Sequence, residues 1–263
     1  MNDPAAAGGA VPCVVVLGAS NVRRGFPQLV DAVRGLCGGP IAIHAAMGHG
    51  RSYGNWSSIP GRSLPAITEC GLWRALDAGE GPIVALVTDV GNDLLYGVEP
   101  EPLVGWVDHC VERLRAKRAS VVVTELPVAN LRTLGEWRFR FFRTLFFPAC
   151  RLSLAEMADR AHRVNEGLRH VAESRSVALA PLPSTWYGFD PIHLKPSIYE
   201  EAWKKLLGLV TTNTAQESSR RLSLAEALSL RVALPEQRRL LGFDQQRTQP
   251  IQSLRDGTKV SLY

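Results

Sequence analysis

The chain has no apolar stretch long enough to cross a bilayer. Its run Val11 to Leu17 is far shorter than the roughly 20 residues a membrane helix needs. Residues 1–10 lack a basic segment and carry an acid, Asp3, so no secretory signal is expected there and they read as a flexible N-terminus. Cysteine is scarce: Cys13, Cys37, Cys70, Cys110 and Cys150 are odd in number, widely separated, and never at metal-ligand spacing. That argues against a disulfide framework and a zinc site, and the expectation is reduced thiols in a cytoplasmic protein. Strong charge bias is missing too. With 30 basic and 25 acidic side chains, the net charge of +5 is too small and scattered to suggest nucleic acid, although it permits attraction to anionic substrates or a membrane surface.

What is present is the composition of a globular protein, 46% hydrophobic and 21% charged over 263 residues. β-Branched apolar runs predict strands at Val11–Leu17, Pro40–Ala46, Pro82–Thr88, Ser120–Glu125 and Val177–Ala180. Helical spacing lies between them, at Phe26–Leu36, Pro102–Lys117, Leu154–Glu173 and Ile198–Val210. This alternation predicts a three-layer α/β/α domain over residues 11–212 with a five-stranded parallel sheet. Beyond it, residues 213–263 read as a C-terminal appendage. It follows a polar linker (Thr211–Arg221) and holds a helix (Leu222–Leu234) and an Asp256-Gly257 turn between short extended pieces. Its role is not assigned.

Four polar motifs each follow an apolar strand or precede the last helix, where open α/β sheets bind ligands. Gly18-Ala19-Ser20-Asn21 places a hydroxyl at a strand-to-helix turn, as either a helix cap or a nucleophile. The same turn, with Gly25, loosely echoes a dinucleotide-binding loop, but the middle glycine is absent and Ala45-Ala46 stands where an acid would be needed. Met47-Gly48-His49-Gly50-Arg51-Ser52-Tyr53-Gly54 offers backbone N–H groups that can converge on negative charge. Asp89-Val90-Gly91-Asn92-Asp93 adds a side-chain amide, and in Phe189-Asp190-Pro191-Ile192-His193-Leu194-Lys195-Pro196 the acid three before the histidine can fix the imidazole tautomer.

In this order, serine, glycine, asparagine and D-x-x-H, the chain resembles the SGNH, or GDSL-like, hydrolase family over about Cys13 to Val210. Asp93-Leu94, and Tyr199 and Trp203 after His193-Leu194-Lys195-Pro196, extend the resemblance. Departures are Ala19 where the family usually has aspartate, Gly25 one position later than usual, and Val90 in place of a glycine. The resemblance implies a flavodoxin-like fold and acyl transfer from a carboxylic ester. Ser20 would be the nucleophile, His193 the base and Asp190 its orienting acid. The oxyanion hole would be Ser20, Asn92 and either Gly48 or Gly50. Arg51, Tyr53 and Asp93 are expected substrate contacts, with no metal and no cofactor, and the substrate is a small-molecule, lipid or carbohydrate ester. Two alternatives stay open: a Rossmann-like nucleotide-binding protein, and a non-catalytic SGNH-like binding protein. Leu134–Arg151, rich in Phe, Trp and Arg, reads either as a core helix with its arginines outside or as part of a lid (residues 127–151). A lid would cap an acyl chain or touch a membrane surface through a basic amphipathic patch.

Overall fold

In the computed structural model, which describes residues 11–78, 81–211 and 221–263, Cys13–Leu17 forms the first strand, β1, and every one of its side chains is buried. The chain continues through α1 (Ser20–Arg24), α2 (Phe26–Cys37), β2 (Ala42–Ala46), β3 (Ser57–Ile59), β4 (Arg62–Leu64), α3 (Leu72–Asp77) and β5 (Ile83–Val87). Next come α4 (Asn92–Leu95), α5 (Pro100–Ala116), β6 (Ser120–Thr124), α6 (Val128–Thr133), α7 (Glu136–Phe146), α8 (Leu154–Arg175) and β7 (Ala178–Ala180). Then follow α9 (Tyr199–Gly208), α10 (Leu224–Val232), β8 (Gln237–Leu240), β9 (Phe243–Gln246), β10 (Gln252–Ser253) and β11 (Lys259–Leu262). The expected flexible N-terminus, and the linker apart from its end residues Thr211 and Arg221, lie outside the described residues.

The five expected strands are all present and all parallel, in the order β2-β1-β5-β6-β7. The sheet nevertheless has seven strands, not five, because the C-terminal stretch adds two. β11 pairs parallel to β2, and β10 pairs antiparallel to β11. Lys-Val-Ser-Leu alternates polar and apolar over four residues, and that pattern is too short to single out a strand. A second, four-stranded antiparallel sheet, β3-β4-β8-β9, ties the glycine-rich loop to the same C-terminal stretch.

Side chains along β1 alternate between two cores, as the two-residue period of a strand requires. Val14 and Val16 face α2 and α9 with Phe26, Leu29, Trp203 and Leu206, whereas Val15 and Leu17 face α5 and α8 with Val107, Val111, Val164 and Leu168. A capping box, Ser153 with Glu156, starts α8 by satisfying its first orphan N–H groups. Gly25, between α1 and α2, allows close approach: a Cβ there would lie 2.3 Å from Tyr199 Cδ1, and Trp203 Nε1 donates to its carbonyl at 3.0 Å. The last strand is core as well, with Val260 and Leu262 buried among the residues of α2 and α9. Leu262→Ala should therefore cost about 2–5 kcal/mol in urea denaturation, as truncation of a buried leucine does. A loss below about 0.5 kcal/mol, the level of an ordinary surface change, would show that the C-terminal strand is peripheral.

Candidate active site

β1 lies between β2 and β5, with Leu17 in register with both Ala46 and Val87, so the turns that follow these three strands meet at one edge of the sheet. Gly18 N–H donates to Ala46 O at 3.0 Å and Thr88 N–H to Leu17 O at 2.9 Å, which fixes the three exits against one another. Asp89 follows with a left-handed backbone (φ 59°), a conformation that aspartate adopts more readily than most residues. Its Oδ2 accepts from the N–H groups of Ala19 and Asn21, both at 2.9 Å, and of Val22 at 3.3 Å. The orphan donors that open α1 are thereby taken by a carboxylate from another strand. This occupancy leaves none of those three donors for a pyrophosphate. Ser20, between them, keeps its own N–H without a partner among the described residues.

Ser20 Oγ lies 3.0 Å from His193 Nε2, and His193 Nδ1 lies 2.6 Å from Asp190 Oδ2. Asp190 Oδ1 accepts from Ile192 N–H at 2.9 Å and His193 N–H at 3.2 Å, folding the D-x-x-H loop around its own acid. Burial works against the Asp190 charge, but the His193 ring and these two N–H groups outweigh it and hold the carboxyl below its usual range. Asn21 joins the two halves of the site. Its Nδ2 donates to Asp89 Oδ1 at 2.8 Å and to Ile192 O at 3.2 Å, and its Oδ1 accepts from Leu194 N–H at 2.8 Å. The backbone on both sides of His193 is thus bonded to the residue next to Ser20.

Asn92, at the start of α4, is buried, and its Nδ2 has no hydrogen-bond partner among the described residues. A buried donor left unpaired is rare, and this one is available to an acceptor entering the site. Gly48 and Gly50 have different surroundings. Gly50 has φ 63° inside a turn closed by Arg51 N–H to Gly48 O at 3.2 Å, and its carbonyl accepts from Tyr96 Oη at 2.7 Å. Gly48 stands two residues past the end of β2, nearer the sheet edge.

The segment after β6 forms α6 and α7. Of its aromatics, Phe139 and Phe142 are buried, Trp137 and Phe141 are exposed, and Phe146 sets its ring edge-on to His193 at 5.5 Å. Arg138 donates to the carbonyls of Gly188 and Phe189, which holds α7 on the loop that carries Asp190. Under α6 and α7 lies an apolar cavity of about 130 Å³ walled by Leu126, Leu131, Leu134, Phe139, Met157 and Ala161, with Asn92 and Ile192 also in its lining.

No protein-family model matches the chain. No curated protein matches it either. Among solved structures, TesA is similar over 77% of this chain and 99% of its own, at 16% identity and a TM-score of 0.50. A carbohydrate acetylesterase family member from Sinorhizobium meliloti is similar over 75% of this chain and 96% of its own, at 14% identity and a TM-score of 0.51. The fold is SGNH-like.

Within this SGNH-like fold, three expected substrate contacts need correcting. Arg51, Tyr53 and Asp93 are fully buried and line neither the apolar cavity nor the surface around His193. Arg51 Nη1 donates to the carbonyl of Met47 and to the backbone oxygen of Tyr263, and Tyr53 Oη lies 2.7 Å from Thr88 O, to which it donates. Asp93 accepts from Ser52 Oγ and from Tyr53 N–H. They hold the glycine-rich loop against α4 from inside. Asp89 and Asn21 went unrecognised in the sequence. The available signal was an acid directly after the third predicted strand and an amide directly after the serine.

Burial pushes the Asp93 carboxyl up from 3.8 to about 6, against the opposing Ser52 and Tyr53 hydrogen bonds. Between those two values the folded protein holds a proton that the unfolded chain has lost, so this group makes stability fall as pH rises through that window. Asp93→Asn removes the proton. Measured by urea denaturation, wild type should lose about 2–3 kcal/mol relative to the variant on going from about pH 4 to pH 7. Parallel pH profiles for the two proteins would contradict the assignment.

Proposed function

We propose that the protein is a serine hydrolase that cleaves, or transfers, the acyl group of a carboxylic ester. The observation that carries this reading is the unbroken line of contact Asp190–His193–Ser20, at 2.6 and 3.0 Å. Ser20 Oγ attacks the ester carbonyl carbon while His193 Nε2 takes its proton. The tetrahedral oxyanion collapses, the bond from carbon to the alcohol oxygen breaks, and His193 returns the proton to the departing alcohol. Water, or a second acceptor alcohol, then repeats the sequence on the acyl-Ser20 ester. Asp190 stabilises the imidazolium and fixes its tautomer.

For the oxyanion, the donors are Ser20 N–H, Gly48 N–H and Asn92 Nδ2. The Ser20 N–H and Asn92 Nδ2, both without a partner among the described residues, support this assignment, and the place of Gly48 just past β2 favours it over Gly50. The apolar cavity under α6 and α7, with Asn92 in its wall, suits the acyl chain, and α7 acts as its cap.

Two outcomes follow. Ser20→Ala should abolish turnover of nitrophenyl esters, and Asn92→Ala should lower kcat by about 10²–10³ with a far smaller change in KM; full activity in purified Ser20→Ala would refute the proposal. Ala161→Leu intrudes on the cavity, so the octanoyl-to-acetyl ratio of kcat/KM should fall about tenfold or more. An unchanged chain-length profile would remove the cavity from the substrate path.

A further inference from the structure

His193 and Asp190 also form part of the wall of a cleft of about 750 Å³ that shares no lining residue with the apolar cavity. Its other walls carry Arg23, Arg24, Arg62, Lys195 and Arg231, together with His49. These cations come from four separate stretches of chain: α1, β4, the loop after His193, and α10 in the C-terminal stretch. The carboxylate in the wall is Asp190, already bonded to His193, with Arg24 Nη1 at 3.8 Å. Among the described residues, Arg23, Arg62, Lys195 and Arg231 form no ion pair with any carboxylate.

The positive groups are held by neutral acceptors that leave the charge in place. Arg23 donates to Leu230 O at 3.3 Å and Arg231 O at 2.7 Å, carbonyls in the last turn of α10. Arg62 Nη2 donates to His49 O at 3.3 Å, and Lys195 Nζ to Thr185 O at 2.9 Å. Arg62 Nε is buried without a hydrogen-bond partner among the described residues. The crowding is felt by its neighbours: burial, then the charges of Arg62, Arg24, Arg23 and His193, push His49 down to about 4. Like charges brought together at a partly desolvated wall repel one another, and a bound anion relieves that repulsion.

We propose that this cleft recognises a phosphate-class dianion carried on the alcohol half of the ester. Two considerations place the anion there. His193 delivers its proton to the departing oxygen, so the alcohol leaves past His193, which is in the wall of the cleft. The acyl half already has an apolar cavity beside Asn92. Arginine guanidinium groups pair well with phosphate oxygens, and four arginines line the cleft. The assignment rests on the hydrolase reading for which half of the substrate carries the anion. The anion site itself does not.

The test compares a short-chain ester of glycerol 3-phosphate with the same ester of glycerol. Wild type should prefer the phosphorylated ester in kcat/KM. Arg231→Gln, whose side chain has no hydrogen bond to lose among the described residues, should lower that preference about tenfold, Arg62→Gln should do the same, and Arg231→Lys, which keeps the charge but not the fork, should retain more of it than Arg231→Gln. Raising salt to about 0.5 M should erode the preference, an effect that a purely structural role would not produce. No preference in wild type, or one indifferent to the charge-removing variants and to salt, would overturn the proposal. Equilibrium binding of glycerol 3-phosphate and of inorganic phosphate to Ser20→Ala separates the possible sources. Equal affinity for the two would overturn recognition of the alcohol half in favour of a free-phosphate site. Tighter binding of glycerol 3-phosphate, weakened by Arg231→Gln, would support the anion cleft; the same result with a wild-type protein that turned over no ester would support the cleft while removing the hydrolase reading.

Discussion

The Asp89 carboxylate bonded to the first N–H groups of α1 is the contact on which the rest of the candidate site is hung. It accepts from Ala19, Asn21 and Val22, and it also accepts from the Asn21 side chain. Hydrogen bonds to a charged group are worth about 1.5–3 kcal/mol each in net terms, and four on one carboxylate make the turn a rigid unit. Asn21 passes that rigidity to Ile192 and Leu194, which flank His193. The separation of Ser20 from His193 is therefore set by backbone anchoring rather than by the Ser–His contact alone. Pre-organisation of this kind is what a reacting pair needs, since small misplacements at the reacting atoms are costly.

The parts of the fold legible in the sequence are those where one run of residues settles its own state. β1, β2, β5, β6 and β7 are apolar enough to declare themselves, and Asp190 and His193 lie three residues apart, so their contact is local. What escaped notice depends on distant partners. Asp89 meets residues 67 to 70 positions away, and Asn21 reaches across 171 to 173. The short strand Lys259–Leu262 becomes one only because β2 offers it an edge. Arg51 and Tyr53 were misread because a glycine-rich loop suggests an open surface, whereas this loop is pinned from below by Asp93 and by the backbone oxygens of Thr88 and Tyr263.

The C-terminal stretch changes the meaning of the whole arrangement. β11 extends the central sheet, β8 and β9 brace the hairpin that carries Arg62, and α10 presents both Arg231 and the carbonyls that hold Arg23. The same segment thus takes part in the core and in the charged wall beside His193. On the other flank, α6 and α7 enclose an apolar volume and place Phe146 against the His193 ring. Ser20 and His193 stand close to two environments of opposite character, one apolar and one cationic, and under the proposed function that pairing would give the reacting bond a direction.

The central claim is that Ser20 is a primed nucleophile, and covalent trapping tests it most directly. Purified protein would be treated with a fluorophosphonate and the adduct mapped by peptide mass spectrometry. The account predicts a single phosphonyl adduct on Ser20 that is lost in His193→Ala. An adduct on another residue, or none on folded wild-type protein, would contradict it.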